Sequence, residues 1–74
     1  MQDDNSKLAE LSKLNKEQRA AMKNIWNGRG IERIYVSVLP FNSVIVRVCS
    51  PKNIWLIAEL CPKGGIKSKG FQYL

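Results

Sequence analysis

Two four-residue interruptions constrain this chain more than any other feature. Pro40-Phe-Asn-Ser43 and Ser50-Pro-Lys-Asn53 separate three runs, residues 31–39, 44–49 and 54–61, that are rich in β-branched and aromatic side chains. Each run has the length and composition of a strand. Proline fixes φ and lacks an amide donor, and the asparagine and serine beside it favour turns. Connections this short imply antiparallel neighbours, because a parallel pair needs a crossover of a dozen residues or more.

Taking each interruption as a four-residue turn, Leu39 lies opposite Val44 and Cys49 opposite Ile54. Side-chain alternation then sorts the sheet into two faces. One carries Ile34, Val36, Val38, Ile45, Arg47, Cys49, Ile54, Leu56, Ala58 and Leu60; the other carries Tyr35, Ser37, Leu39, Val44, Val46, Val48, Trp55, Ile57 and Glu59. Both are mainly apolar, unlike an antiparallel sheet with one wet face. A slip of one residue exchanges a strand's members between faces, and on this reading it makes neither face polar.

Residues 1–5 are polar and acidic, with no secretory pattern, and are expected to be a disordered leader. From Ser6 to Asn27 the period becomes helical: Leu8, Leu11, Leu14, Ala21, Met22, Ile25 and Trp26 share one arc. Asn15-Lys-Glu-Gln18 is also a capping-box start. One continuous or kinked helix is the preferred reading, with a short leading turn before a helix from Lys16 as the alternative. Asn27-Gly28 supplies the stop. The basic tail, 62–74, opens at Gly64-Gly65 and either stays loose or forms a fourth, edge strand. The expected architecture is α+β: a single small domain over 6–74 in which one N-terminal amphipathic helix packs on a three- or four-stranded antiparallel meander spanning 31–61. One helix covers one sheet face. The other calls for the tail, where Phe71, Tyr73 and Leu74 offer apolar cover, or for another molecule.

Chemistry narrows by absence. There is no histidine, which removes the usual neutral-pH acid/base and the commonest metal ligand. Cys49 and Cys61 lack zinc-site spacing, and the meander holds them too far apart for a bridge. Reduced thiols fit a cytoplasmic protein. Six carboxylates form no evident catalytic pair, and Gly28-Arg-Gly30 and Gly64-Gly65 match no phosphate-binding fingerprint. No apolar run approaches the roughly 18 residues of a membrane span. The expectation is therefore a non-enzyme with no cofactor, no metal, no small-molecule substrate and no membrane.

Charge remains. The net charge is +6, and residues 28–74 hold seven basic side chains against two acidic ones, whereas residues 1–27 are nearly balanced. A lopsided basic surface attracts polyanions. Candidate phosphate contacts are Lys16, Arg19 and Lys23 along the helix, Arg29 and Arg33 after it, and Lys63, Lys67 and Lys69 in the tail. Candidate protein-interface residues, on the face expected to lack a helix, are Tyr35, Leu39, Val46, Val48, Trp55 and Ile57. Two functions follow: a regulator that binds nucleic acid or a nucleoprotein through lysine and arginine, or a protein-interaction module, an inhibitor of the size phages and mobile elements often encode, acting through a sheet face or edge. The uncovered face adds the expectation of a homodimer or a protein partner.

Overall fold

A computed structural model describes residues 3–73. The chain runs α1 (Asp4–Leu11), α2 (Lys16–Trp26), β1 (Arg33–Val38), β2 (Val44–Cys49), β3 (Ile54–Leu60) and β4 (Ile66–Tyr73), with a 3-10 turn at Pro40–Asn42. The four strands form one antiparallel sheet in chain order. This is the expected α+β arrangement, and the tail supplies the fourth strand.

The leader and the helix differ from expectation for one reason, side-chain capping. Asp3 has an extended backbone, and its Oδ1 accepts from the Ser6 amide at 2.7 Å, so α1 starts inside the segment expected to be loose. Hydrogen bonding to Ser6 holds the Asp3 carboxyl below its ordinary value. Met1 and Gln2 lie outside the described residues. Asn15 breaks what was expected to be one helix. Its amide donates to Gln18 Oε1 at 3.0 Å, and its own Oδ1 accepts from the Gln18 amide at 2.8 Å. In a continuous helix the Asn15 amide would donate to the Leu11 carbonyl. That carbonyl instead accepts from the Leu14 amide and from Arg19 Nε. The reciprocal cap thus outcompetes one turn of helix. Asn27, left-handed at φ 54°, ends α2.

The three hairpins share one construction. Leu39, Ser50 and Cys61 donate their amides to the carbonyls of Ser43, Ile54 and Gly65, closing three-residue loops. Each loop begins with proline (Pro40, Pro51, Pro62) and ends on a residue with positive φ: Asn42 at 62°, Asn53 at 62° and Gly64 at 89°. Proline presets the first position, and asparagine or glycine tolerates the left-handed third.

Loops one residue shorter than expected shift both registers. Val38, not Leu39, faces Val44, and Cys49 faces Trp55 rather than Ile54. The two slips leave β1 and β3 in phase and invert β2 alone. Val44, Val46 and Val48 therefore join Ile34, Val36, Leu56, Ala58 and Leu60 in the core. Val46 and Val48, expected at an interface, are fully buried beneath the helices. The expectation of two apolar faces fails with them. With β2 inverted, the second face reads Arg33, Tyr35, Ser37, Ile45, Arg47, Cys49, Trp55, Ile57, Glu59, Ser68, Gly70 and Gln72, a mixed surface.

Both helices and the connection between them pack on the core face through Leu11, Leu14, Met22, Ile25 and Trp26. Phe71 joins them from β4, whereas Tyr73 is exposed and Leu74 lies outside the described residues. The tail closes the side of the core, and it leaves the second sheet face open. Gln18, buried, holds the layers together: its Nε2 donates to the Asn42 carbonyl at 2.9 Å and more weakly to that of Cys61 at 3.4 Å. Asn15 Nδ2 adds a 2.7 Å bond to the Pro62 carbonyl. The start of α2 is thereby tied to two hairpin loops at one end of the sheet. Cys49 and Cys61 are free thiols, and among the described residues no helix is long and apolar enough to cross a membrane.

Candidate functional site

The open face has a definite internal order. Tyr35 on β1 and Arg47 on β2 are register partners, and the Arg47 guanidinium carbon lies 5.0 Å from the Tyr35 ring centroid. Tyr35 and Trp55, separated by the central strand β2, hold their rings within 9° of parallel, with centroids 6.4 Å apart. Such an arrangement combines cation–π attraction with ring–ring contact. Cys49, between Arg33 and Trp55 in the register, is buried although both helices pack on the other face. Tyr35 and Trp55 are half-buried while Arg47 and Ile57 are exposed. The result is an aromatic surface with one cation, Arg47, at its middle and another, Arg33, beside Cys49.

Beyond Trp55, toward the second hairpin loop, the face deepens into a cleft of about 400 Å³ lined by Glu32, Arg33, Cys49, Pro51, Asn53 and Trp55. The side chains of Glu32, Arg33 and Asn53 make no hydrogen bond or ion pair with other described residues, so their polar atoms are available to a ligand. At the opposite end, Glu59 is 3.4 Å from Lys67 Nζ, which offsets its charge.

The expected basic residues do not converge on one surface. Lys16, Arg19 and Lys23 lie on the exposed side of α2, and Arg19 and Lys23 border an apolar groove with Leu8, Leu11 and Met22. Arg29 bridges two rings, 5.7 Å from the centroid of Trp26 and 5.0 Å from that of Phe71, which gives it a packing role. Lys63 sits in the third hairpin loop. Lys69, opposite Ala58, lies on the helix side of β4. Of the eight, Arg33 belongs to the open face, and Lys67 reaches its border at the irregularity between β3 and β4. Of the expected interface residues, Tyr35, Trp55 and Ile57 lie on this face, and Leu39 is half-buried where the first loop begins. Arg47 and Glu32 were missed. The signal for Arg47 was present: a charged residue in the middle of a central strand must point to water, because burying it unpaired costs far more than any valine on the same strand gains.

Comparison with protein-family models, with curated proteins and with solved structures finds no match. The functional reading therefore rests on the geometry of this chain.

Proposed function

We propose that the protein is a non-enzymatic binder of single-stranded nucleic acid that lays bases on the open face of its sheet. The observation that carries the reading is the Arg47–Tyr35–Trp55 array: two near-parallel rings and a guanidinium on a sheet face that neither helix covers. Bases stack on exposed aromatic rings whatever their sequence, at about 1–3 kcal/mol per base. Phosphates need cations nearby, and Arg33, Arg47 and Lys67 stand on or beside the face, within a chain of net charge +6. The scattered cations of α2, with Lys63 and Lys69, supply long-range attraction rather than a single phosphate track. Acting as a regulator of a nucleic-acid machine is consistent with this surface.

Fluorescence anisotropy with labelled single-stranded oligonucleotides tests the proposal. Affinity should fall with salt. Arg47→Ala should flatten the log–log salt slope by about 0.7. Tyr35→Ala and Trp55→Ala should each weaken binding by about 1–3 kcal/mol, with circular dichroism unchanged. Absence of binding at low salt, or binding indifferent to all three changes, defeats the proposal.

A second reading, docking on a protein, is supported by the outer edge of β4. Its eight residues are mostly exposed, whereas Glu10 occupies a backbone position on the outer edge of β1. In that case a partner strand would add to β4, and Lys67 and Lys69 would help to recruit it.

A further inference from the structure

We propose that the cleft beside Trp55 is a base-reading pocket selective for guanine, an inference that rests on the nucleic-acid reading above. Four residues of different chemistry line it: Trp55, Glu32, Arg33 and Asn53. Its volume of about 400 Å³ lies within the range of small-molecule sites (roughly 300–1,000 Å³). It continues the aromatic array, because Trp55 is both the last ring of that array and a wall of the cleft. A strand stacked on Tyr35 and Trp55 would deliver its next base there.

The carboxylate decides what enters. A carboxylate only accepts hydrogen bonds and repels phosphate, so a site holding Glu32 takes a base edge and leaves the backbone outside, toward Arg47. Among the four bases, guanine alone presents two adjacent N–H donors, N1–H and N2–H, on its Watson–Crick edge, spaced to meet both oxygens of one carboxylate. Adenine and cytosine each offer one amino donor beside a ring-nitrogen acceptor, which a carboxylate repels. Uracil and thymine offer one N–H between two carbonyls. Arg33 and Asn53, which line the same cleft, carry the kinds of donor that guanine O6 and the neighbouring N7 require. Glu32 and Arg33 suit the role because neither is committed to another described residue.

The test is anisotropy titration of the full chain with labelled ten-residue oligouridine and with the same oligomer carrying one central guanine, adenine or cytosine. Guanine should bind more tightly than the others by about 5- to 100-fold, the worth of one bidentate pair. Glu32→Gln, isosteric and outside the core, should reduce that preference to about two-fold or less while leaving affinity for plain oligouridine no weaker, because it removes a charge that repels phosphate. Glu59→Gln, at the far end of the same face, should leave the preference intact. Equal affinity for all four oligomers, or a guanine preference indifferent to Glu32→Gln, overturns the pocket and leaves the stacking surface standing. Failure to bind any oligomer removes the nucleic-acid reading and the pocket with it.

Discussion

The Glu10 carboxylate accepts a hydrogen bond at 3.1 Å from the amide of Val36, twenty-six residues away. That amide faces outward from β1, which has a partner strand on one side only. An exposed strand edge invites pairing with another chain, and a carboxylate carried by α1 occupies this one. Lys13 completes the arrangement at 2.5 Å from the second Glu10 oxygen. The Lys13 hydrogen bond, with a smaller contribution from the Val36 amide, holds Glu10 below its ordinary value against the opposing effect of desolvation.

The docking of α1 should therefore depend on acid. A group whose folded pKa is depressed contributes stability that is fully present above its unfolded value and lost as pH falls through the folded one. Urea unfolding from neutral pH down through the carboxylate range should show this loss in the native chain. Glu10→Gln keeps an acceptor for Val36 and removes the charge, so its acid limb should be flatter. Identical limbs would show that Glu10 does not couple α1 to the sheet.

Phe41 sits at φ 64° and ψ 26° in the first hairpin loop, with 93% of its surface exposed. A bulky residue in the left-handed region is strained by about 1–2 kcal/mol, and exposure on this scale means little packing offsets it. Phe41→Asn should therefore stabilise the fold by about 0.5–1 kcal/mol, seen as a higher thermal midpoint. A lower midpoint would mean that the ring makes a stabilising contact in solution.

Ile45 and Val46 are adjacent in β2 and point to opposite faces, Val46 into the core and Ile45 to the open side. Val46→Arg places an unpaired charge among Val36, Val48 and Ala58 and should abolish folding. Ile45→Arg should fold, losing no more than about 1–2 kcal/mol. Circular dichroism and urea titration distinguish the two. The reverse order would restore the register expected from four-residue turns.

That register marks where the sequence stopped being informative. Strand positions, antiparallel order and the helix-capping signal at Asn15–Gln18 are local properties, carried by β-branched runs, prolines and a capping motif. Loop length is local too, but it depends on which residue after each proline takes the left-handed conformation. Pro40, Pro51 and Pro62 recur at equal spacing, each followed two residues later by asparagine or glycine, and that pattern marks a three-residue loop once it is noticed. The long-range pairing of Glu10 with Val36 and the bridge from Gln18 to two loops were not legible, because each depends on how α1 and α2 seat on a completed sheet. For the same reason the Glu32 cleft appears only when the second loop, with Pro51 and Asn53, is folded against the start of β1.

Gln18 is the residue on which that seating depends most. It is buried, and both ends of its amide are in use: Oε1 accepts from the Asn15 amide, while Nε2 donates to the carbonyls of Asn42 and Cys61. Gln18→Ala leaves a helix-start amide and the Asn42 carbonyl without their partner and opens a void, a cost of about 2–3 kcal/mol. Gln18→Glu is nearly isosteric but cannot donate unless protonated, so its carboxylate would face two carbonyl oxygens. Its folded pKa must then lie above the unfolded value. The deficit relative to the native chain should be smallest in acid and should grow as pH rises through the ordinary glutamate value of about 4.3. Urea titrations of both variants at acidic and neutral pH measure it. A Gln18→Glu deficit that does not change with pH would show that the side chain leaves the interior, and the tie between α2 and the two hairpin loops would then be carried by Asn15 and the Pro62 carbonyl alone.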